Sequence, residues 1–364
     1  MCKTIAFYIS DHGFGHIMRN IPVIAYILKS GQNKVVLVTG ERQIETAKAY
    51  IEKYTDADLK KITFISQNTD FGLAVKAGTL VPDVPKIKKE LRKYINSFDE
   101  RISCAVEVFK RYDVDCVVCD IVPWALKAAK SENIPSVLMA SFTWIEIYEE
   151  FLKEDFIKPF RDCFDCVDKV LLYELANEPT RKRFQNDENV GFVAREFNTD
   201  KINCIKTELG EKPIVFVSVG GSNSGLKDEI DVSELPYNFV VTMGIKFKGE
   251  NVRYLPPEVD NTQDYVAASD YCITKAGWTT VAEAMLAEKP IALLSRPDVA
   301  EDRMTIEMLT SKKRAVEVSV EELKDIARVI EKIKRAELVV EKYDNCCEEI
   351  AEQICVLQRN TQSE

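Results

Sequence analysis

At 364 residues, 46% of them hydrophobic and 30% charged, the chain is too long for one small domain and too apolar to be disordered throughout. Its 49 basic and 59 acidic side chains leave a net charge of −10, a poor basis for binding nucleic acid or an anionic membrane. No apolar stretch reaches the roughly 18 residues of a membrane span, and residues 134–145 come only about half-way.

Met1-Cys2-Lys3-Thr4 leads directly into Ile5-Ala6-Phe7-Tyr8-Ile9, which predicts a buried first strand rather than a signal peptide, so a cytoplasmic protein without an integral membrane segment is expected. A helix is predicted over 17–30, stopped by Gly31. A strand over 35–38, a polar helix over 44–54 and a strand over 62–65 follow. One long charged helix is expected over 86–111, then strands at 116–119 and 136–139. The chain has eleven cysteines, an odd and scattered set that reads as free thiols in a reducing compartment. Cys116/Cys119 and Cys163/Cys166 have CxxC spacing, but the first pair lies in an apolar run where such positions point to opposite faces of a strand. Neither pair has a zinc knuckle's glycine turn, and no metal is expected.

A polar stretch over 176–190 breaks the rhythm, with a hinge expected near 191–212. Strands then resume at 214–219, 239–242, 252–255, 271–274 and 291–294. Ser319-x-x-Glu322 has the form of a capping box opening a helix, and an amphipathic stretch over 339–357 is long enough to cross back onto the first half. Alternation of this kind predicts an α/β chain of two parallel-sheet halves, with ligands at the carboxyl ends of the strands. The expected division is 1–195, 196–340 and a terminal helix over 341–364.

Both histidines lie in Ser10-Asp11-His12-Gly13-Phe14-Gly15-His16-Ile17-Met18-Arg19, at the first strand's end. Imidazole suits proton transfer near neutral pH and glycine permits close approach of a ligand, so His16, and less strongly His12, are candidates. Incidental imidazoles in a tight turn are the plain alternative. Gly13-x-Gly15-x-x-Met18 lacks the third glycine of a dinucleotide fingerprint, although Glu41 at the second strand's end keeps that rival open. In the second half, Gly220-Gly221-Ser222 follows a strand and can form an anion-binding nest, but no Lys-Ser/Thr follows to make a P-loop for ATP. Gly277-Trp278-Thr279-Thr280 opens a helix whose start suits a diphosphate. Thr280-x-x-Glu283 reads equally as a capping box or as a carboxylate for ribose hydroxyls. Arg296 and Asp298 lie on the loop after the next strand, and Trp144 and Tyr148 are either acceptor-lining or core aromatics.

Val219-Gly220-Gly221-Ser222 and Thr274-Lys275-Ala276-Gly277 through Glu283-Ala284 resemble the donor domain of GT-B glycosyltransferases, notably the transferase that adds N-acetylglucosamine to the peptidoglycan lipid precursor. His12-Gly13-Phe14-Gly15-His16-x-x-Arg19, Asp120-Ile121-Val122-Pro123 and Ser141 to Tyr148 resemble the glycosyltransferase-like portion of plant arabinose kinases. Ala267 to Asp270, Arg296 and Asp298 fit that group too. Gly15-His16-x-x-Arg19 is also similar to nucleotide-sugar hydrolases of pseudaminic acid synthesis. Where the peptidoglycan enzyme has paired glutamines, this chain has Met304-Thr305, so sugar identity does not carry over. Nothing resembles the kinase half of arabinose kinase.

The resemblance implies a GT-B fold, two Rossmann-like domains facing a central cleft, and a metal-independent, inverting glycosyltransferase without a cofactor. Its partners would be a nucleotide-diphosphate sugar, most simply a UDP-sugar, and an acceptor of unstated identity. His16 would be the base. His12, Gly15, Arg19, Asp120, Trp144, Arg296 and Asp298 would line the substrates, with Arg19 or Arg296 as charge partner of the leaving group. Gly220, Gly221, Ser222, Gly277, Thr279, Thr280 and Glu283 would hold the nucleotide, with Glu283 at ribose. The alternatives are a nucleotide-sugar hydrolase, a non-catalytic nucleotide-sugar sensor and, more distantly, a nicotinamide dehydrogenase.

Overall fold

Stretches such as Thr4–Ile9 and Cys116–Asp120 are apolar at consecutive rather than alternate positions, which suits strands covered by helices on both faces. The computed structural model describes residues 3–29, 31, 33–76, 81–184, 187–219, 229–256, 258–296 and 299–357. Two units emerge, one formed by Met1–Ala74, Pro82–Val193 and Asn345–Glu364, the other by Val75–Val81 and Ala194–Asp344. Among the described residues no helix is long and apolar enough to cross a membrane.

The first unit runs β1 (Thr4–Ile9), α1 (Gly15–Lys29), β2 (Lys34–Thr39), α2 (Glu41–Tyr54), β3 (Ile62–Ser66), α3 (Val84–Asn96), α4 (Phe98–Arg111), β4 (Cys116–Asp120), α5 (Pro123–Ser131), β5 (Ser136–Ala140), α6 (Trp144–Glu149), α7 (Glu154–Phe164), β6 (Lys169–Leu172), α8 (Glu178–Arg183) and β7 (Asp187–Asn189). Its seven strands are parallel in the order β3-β2-β1-β4-β5-β6-β7. Strand order therefore reverses between β1 and β4, and such a switch point opens a crevice at the carboxyl ends of the two strands. His16 follows β1 there and Asp120 ends β4.

The helix expected over 86–111 is two helices. The Ser97 hydroxyl donates back to the Tyr94 carbonyl at 2.7 Å, and its own N–H bonds the Lys93 and Tyr94 carbonyls, which closes α3 before α4 begins. Tyr94, Trp124 and Tyr148 then tie down the loop after β3. The Tyr94 hydroxyl donates to the Thr69 carbonyl at 2.7 Å, Trp124 Nε1 to the same carbonyl at 3.1 Å, and the Tyr148 hydroxyl to the Gly72 carbonyl at 2.7 Å.

The second unit runs α9 (Thr199–Leu209), β8 (Ile214–Ser218), β9 (Ile230–Asp231), β10 (Asn238–Val241), β11 (Phe247–Lys248), β12 (Val252–Tyr254), α10 (Thr262–Ala268), β13 (Tyr271–Lys275), α11 (Trp278–Leu286), β14 (Ile291–Leu294), α12 (Ala300–Ser311), β15 (Ala315–Val318) and α13 (Ile326–Arg335). Its main sheet has the order β12-β10-β8-β13-β14-β15, so its switch point lies between β8 and β13, beside the start of α11. On one face, Ile326, Val329, Ile330 and Ile333 of α13 pack against Val215, Val217, Ile273 and Leu294. Each such side chain contributes about 1.5–3 kcal/mol relative to exposure. The stretch expected as hinge, 191–212, contains α9.

The expected capping box at Ser319 does form. Ser319 N–H donates to Glu322 Oε2 at 2.8 Å and Glu322 N–H to Ser319 Oγ at 3.1 Å. It opens only a 3-10 turn, and the helix proper starts after Asp325, whose side chain accepts from Arg328 N–H. The amphipathic stretch expected over 339–357 is helical only in α14 (Cys347–Val356), which packs on α1. Lys3 Nζ clips that helix's end through the Cys355 and Leu357 carbonyls at 2.5 and 2.7 Å.

Candidate active site

On the first turns of α1, His16, Arg19 and Asn20 are spaced i, i+3 and i+4 and so share one face, directed at Asp120 on the neighbouring strand. The Asp120 carboxylate, fully buried, receives four donors. His16 Nδ1 is 2.8 Å and Arg19 Nη2 2.5 Å from Oδ1, while Arg19 Nε is 2.7 Å and Asn20 Nδ2 2.5 Å from Oδ2. Burial alone would raise this carboxyl's pKa. The Arg19 guanidinium and His16 outweigh that and hold it far below the usual carboxylate range. It is ionised at any physiological pH.

The Asp120 carboxylate on His16 Nδ1 favours the tautomer with the proton there and Nε2 as acceptor, while Arg19 Nη2, 2.9 Å from the same nitrogen, favours the opposite one. Burial is the main cause lowering the His16 pKa below the ordinary imidazole value, with Asp120 opposing and Arg19 assisting. The arrangement is a neutral base oriented by an anion, and 7% of His16 remains exposed. Immediately after Asp120, the β-branched Ile121 has φ 55, a left-handed conformation that costs such a residue energy and bends the chain away from the strand.

Next to this pair lies a second group. His12 is exposed, with its ring edge-on to Trp144 at 5.4 Å. Trp144 is 3% exposed, stacks on Tyr148 at 5.5 Å, and donates Nε1 to Asp70 Oδ2 at 3.1 Å. The Ser10 hydroxyl also donates to that oxygen. Burial raises Asp70 to about 7; the neighbouring Asp11 pushes in the same direction, while the Ser10 and Trp144 hydrogen bonds oppose it. Gly72 presses on His12: with φ +69, a Cβ there would lie 2.0 Å from His12 Nδ1.

In the second unit, α11 begins at Trp278 with Gly277 as N-cap, a residue without a side chain to cap the helix, and the positive end of the helix dipole lies there. Gly277 has an ordinary φ of −67°. An added Cβ there would lie 3.3 Å from the Lys275 Cε, a crowding that a small shift of that flexible side chain relieves. Burial, reinforced by the charge of Arg296, lowers the Lys275 pKa.

The capping-box reading of Thr280-x-x-Glu283 is overturned, because both residues lie inside α11. Glu283, 2% exposed, accepts instead from Arg195 Nη2 at 2.7 Å and Nε at 3.2 Å. Arg195 is anchored in turn to the Asp260 carbonyl at 2.5 Å and Thr262 Oγ1 at 2.9 Å.

Of the residues singled out by sequence, the structure joins His16, Arg19 and Asp120 into one cluster, and His12 with Trp144 into another. Gly15 starts α1, and Gly277, Thr279, Thr280 and Glu283 sit on or beside α11. Asp120 and Arg19 are buried and paired with each other, and Asp120 Oδ1 also lies 2.8 Å from His16 Nδ1. Arg296 is half-buried and held by Asp302, with Nη2 2.6 Å from Oδ1. Gly220, Gly221, Ser222 and Asp298 lie outside the described residues. Asn20, Asp70, Arg195 and Lys275 were missed. The i+4 spacing from His16 pointed to Asn20; nothing local points to Arg195, 88 residues from Glu283. Among the described residues no group of three or more His, Cys, Asp or Glu side chains is placed to hold a metal ion.

Residues 195–353 match the model of the glycosyltransferase family 28 C-terminal domain. Across nearly its whole length the chain has the fold of GT-B glycosyltransferases. It resembles CalG4, the calicheamicin glycosyltransferase (TM-score 0.63, 15% identity, 97% of this chain and 93% of that one). It also resembles UGT89C1 of Arabidopsis thaliana in complex with UDP-L-rhamnose (0.60, 14%, 98% and 94%) and MurG of Acinetobacter baumannii (0.58, 14%, 98% and 100%). By sequence it is 24% identical to L-arabinokinase of Arabidopsis thaliana over 323 residues, 84% of this chain, and it spans 29% of that protein's length.

Proposed function

We propose that this chain, which has the GT-B fold, transfers a sugar from a nucleotide-diphosphate donor to an acceptor hydroxyl, with His16 as general base. The observation that carries the reading is the buried His16–Asp120 pair, set at the strand switch point where a GT-B unit receives its ligand. His16 Nε2 takes the acceptor's proton, the acceptor oxygen bonds to the anomeric carbon, and the bond from that carbon to the diphosphate breaks with its electron pair leaving on the diphosphate. One displacement of this kind inverts the anomeric centre. The imidazolium formed is stabilised by Asp120.

The second unit supplies the donor's part. The positive dipole end of α11, with Thr279 and Thr280 in its first turn, and the half-buried Lys275 offer positive potential to the departing diphosphate in place of a metal ion. Glu283, already oriented by Arg195, is the carboxylate for the ribose hydroxyls. Gly220, Gly221 and Ser222 are proposed at the phosphates and Arg296 and Asp298 at the sugar. His12, Gly15 and Trp144 are proposed around the acceptor. A uridine donor is the first to test, because UGT89C1, with the same fold, has been solved with UDP and with UDP-L-rhamnose.

The test is incubation with nucleotide sugars, with and without candidate hydroxyl acceptors, followed by mass spectrometry. Acceptor-dependent release of nucleoside diphosphate with a glycosylated product supports transfer. Equal release of free sugar without acceptor would make water the nucleophile and the protein a hydrolase. No turnover in wild type or His16→Ala, despite tight donor binding, would favour the sensor.

A further inference from the structure

A buried carboxylate beside an imidazole ordinarily draws a proton onto it, because the ion pair is favoured where water is absent. Here the carboxylate is already neutralised. Arg19 spans both Asp120 oxygens through Nε at 2.7 Å and Nη2 at 2.5 Å, and Asn20 adds a neutral donor at 2.5 Å. The same Nη2 lies 2.9 Å from His16 Nδ1. The guanidinium is itself locked: 2% exposed, with Nη1 3.4 Å from Ser141 Oγ and its plane over the Tyr173 ring at 5.1 Å.

We propose that Arg19 is a positioning residue of the candidate base: by taking up the charge of Asp120 it lets that carboxylate orient the His16 ring without fixing a permanent proton on it. The inference rests on the proposed role of His16 as base. With neutral His16, the buried trio of Arg19, Asp120 and His16 sums to zero charge; protonation before substrate arrives would leave a net positive charge in the same low-dielectric site. The charges facing His16 come from its own helix (Arg19), from β4 (Asp120) and, more weakly, from the loop after β1 (Asp11). Among them Arg19 alone opposes protonation, acting with burial. The nearest aromatic group, Phe142 at 6.0 Å, carries no charge. Asp120 thus supplies orientation and Arg19 limits its basicity effect, so the base stays ready through the neutral range.

The chain's two histidines make a direct test possible, since imidazole nitrogen NMR on the whole protein shows only two rings, and His12→Asn assigns them. In wild type, His16 is expected neutral at pH 7, protonated on Nδ1, and titrating below the ordinary imidazole value. In Arg19→Met, shown folded by circular dichroism, the titration should move up by about one pH unit or more, a tenfold gain in proton affinity. The acid limb of kcat/KM should move with it. A merely structural Arg19 would lower stability and leave both positions unchanged, and that result overturns the proposal. Should Arg19→Met not fold, wild type still decides: an imidazolium at pH 7, or a proton on Nε2 with Nδ1 accepting from Arg19, overturns it equally. Absence of any transfer would sink the proposed function, while the ring titrations would still decide the role of Arg19.

Discussion

His16 is separated from Asp120 by 104 residues, yet both lie where adjacent strands end, and one hydrogen bond joins them. His16 was readable from its type and its strand-end position. Its pairing with Asp120 was not, because no local spacing connects β1 to β4. Replacing His16 with alanine is expected to lower kcat by about 10²–10⁴-fold, with donor affinity, measured by calorimetry, largely kept. Lost affinity with unchanged kcat would assign it to binding instead. Asp70 makes a separate prediction. Its folded pKa, about 7, lies above the usual carboxylate value, so between pH 4 and 7 the native state binds more protons than the unfolded state. Its contribution to stability is therefore largest in acid and is lost as pH rises through 7. Asp70→Asn, which keeps an oxygen for Ser10 and Trp144, should stabilise the protein by roughly 1–4 kcal/mol at pH 8 and by little at pH 4, read from melting temperatures. Equal effects at both pH values would contradict that burial cost.

Among the elements, long apolar strands were the easiest to read, and helix ends the hardest. The break at Ser97 has a signal, since Ser97-x-x-Glu100 has the form of a helix start, but the continuous charged pattern over 86–111 hid it. The opposite error occurred at Thr280-x-x-Glu283, where the same spacing falls inside α11 and the glutamate finds a distant arginine. A local motif decides nothing when a buried long-range partner is available. Strands β6, β7 and β15 escaped the reading, and β7, Asp187-Glu188-Asn189, has no apolar residue to mark it. The buried Arg195–Glu283 pair should behave as one unit. Arg195→Met leaves an unpaired buried carboxylate and is expected to cost about 3–5 kcal/mol in urea unfolding. Arg195→Met combined with Glu283→Leu should recover most of it, and additive losses would show that the two do not act as a pair.

Across the whole molecule, the alternation of strands and helices, restarted after residue 213, was enough to read two parallel-sheet halves, while the GT-B fold was implied by the resemblance of the glycine and histidine motifs. Strand order was beyond that reading, and it is what puts chemistry at particular strand ends: β1 beside β4 in one unit and β8 beside β13 in the other. The first unit gathers three segments, with α14 returning onto α1. We propose that the second unit, whose sequence matches the family 28 C-terminal domain over 195–353, binds a nucleoside diphosphate through α11 and Glu283. The most direct measurement is a calorimetric titration of wild type and Glu283→Gln with UDP, GDP, CDP and dTDP, with each protein's melting temperature followed in parallel. One diphosphate should bind wild type, stabilise it by mass action by about 2.7 kcal/mol at 100 times its Kd and so raise its melting temperature, and bind Glu283→Gln more weakly. No binding by any of the four, in a protein that melts cooperatively, would contradict the account.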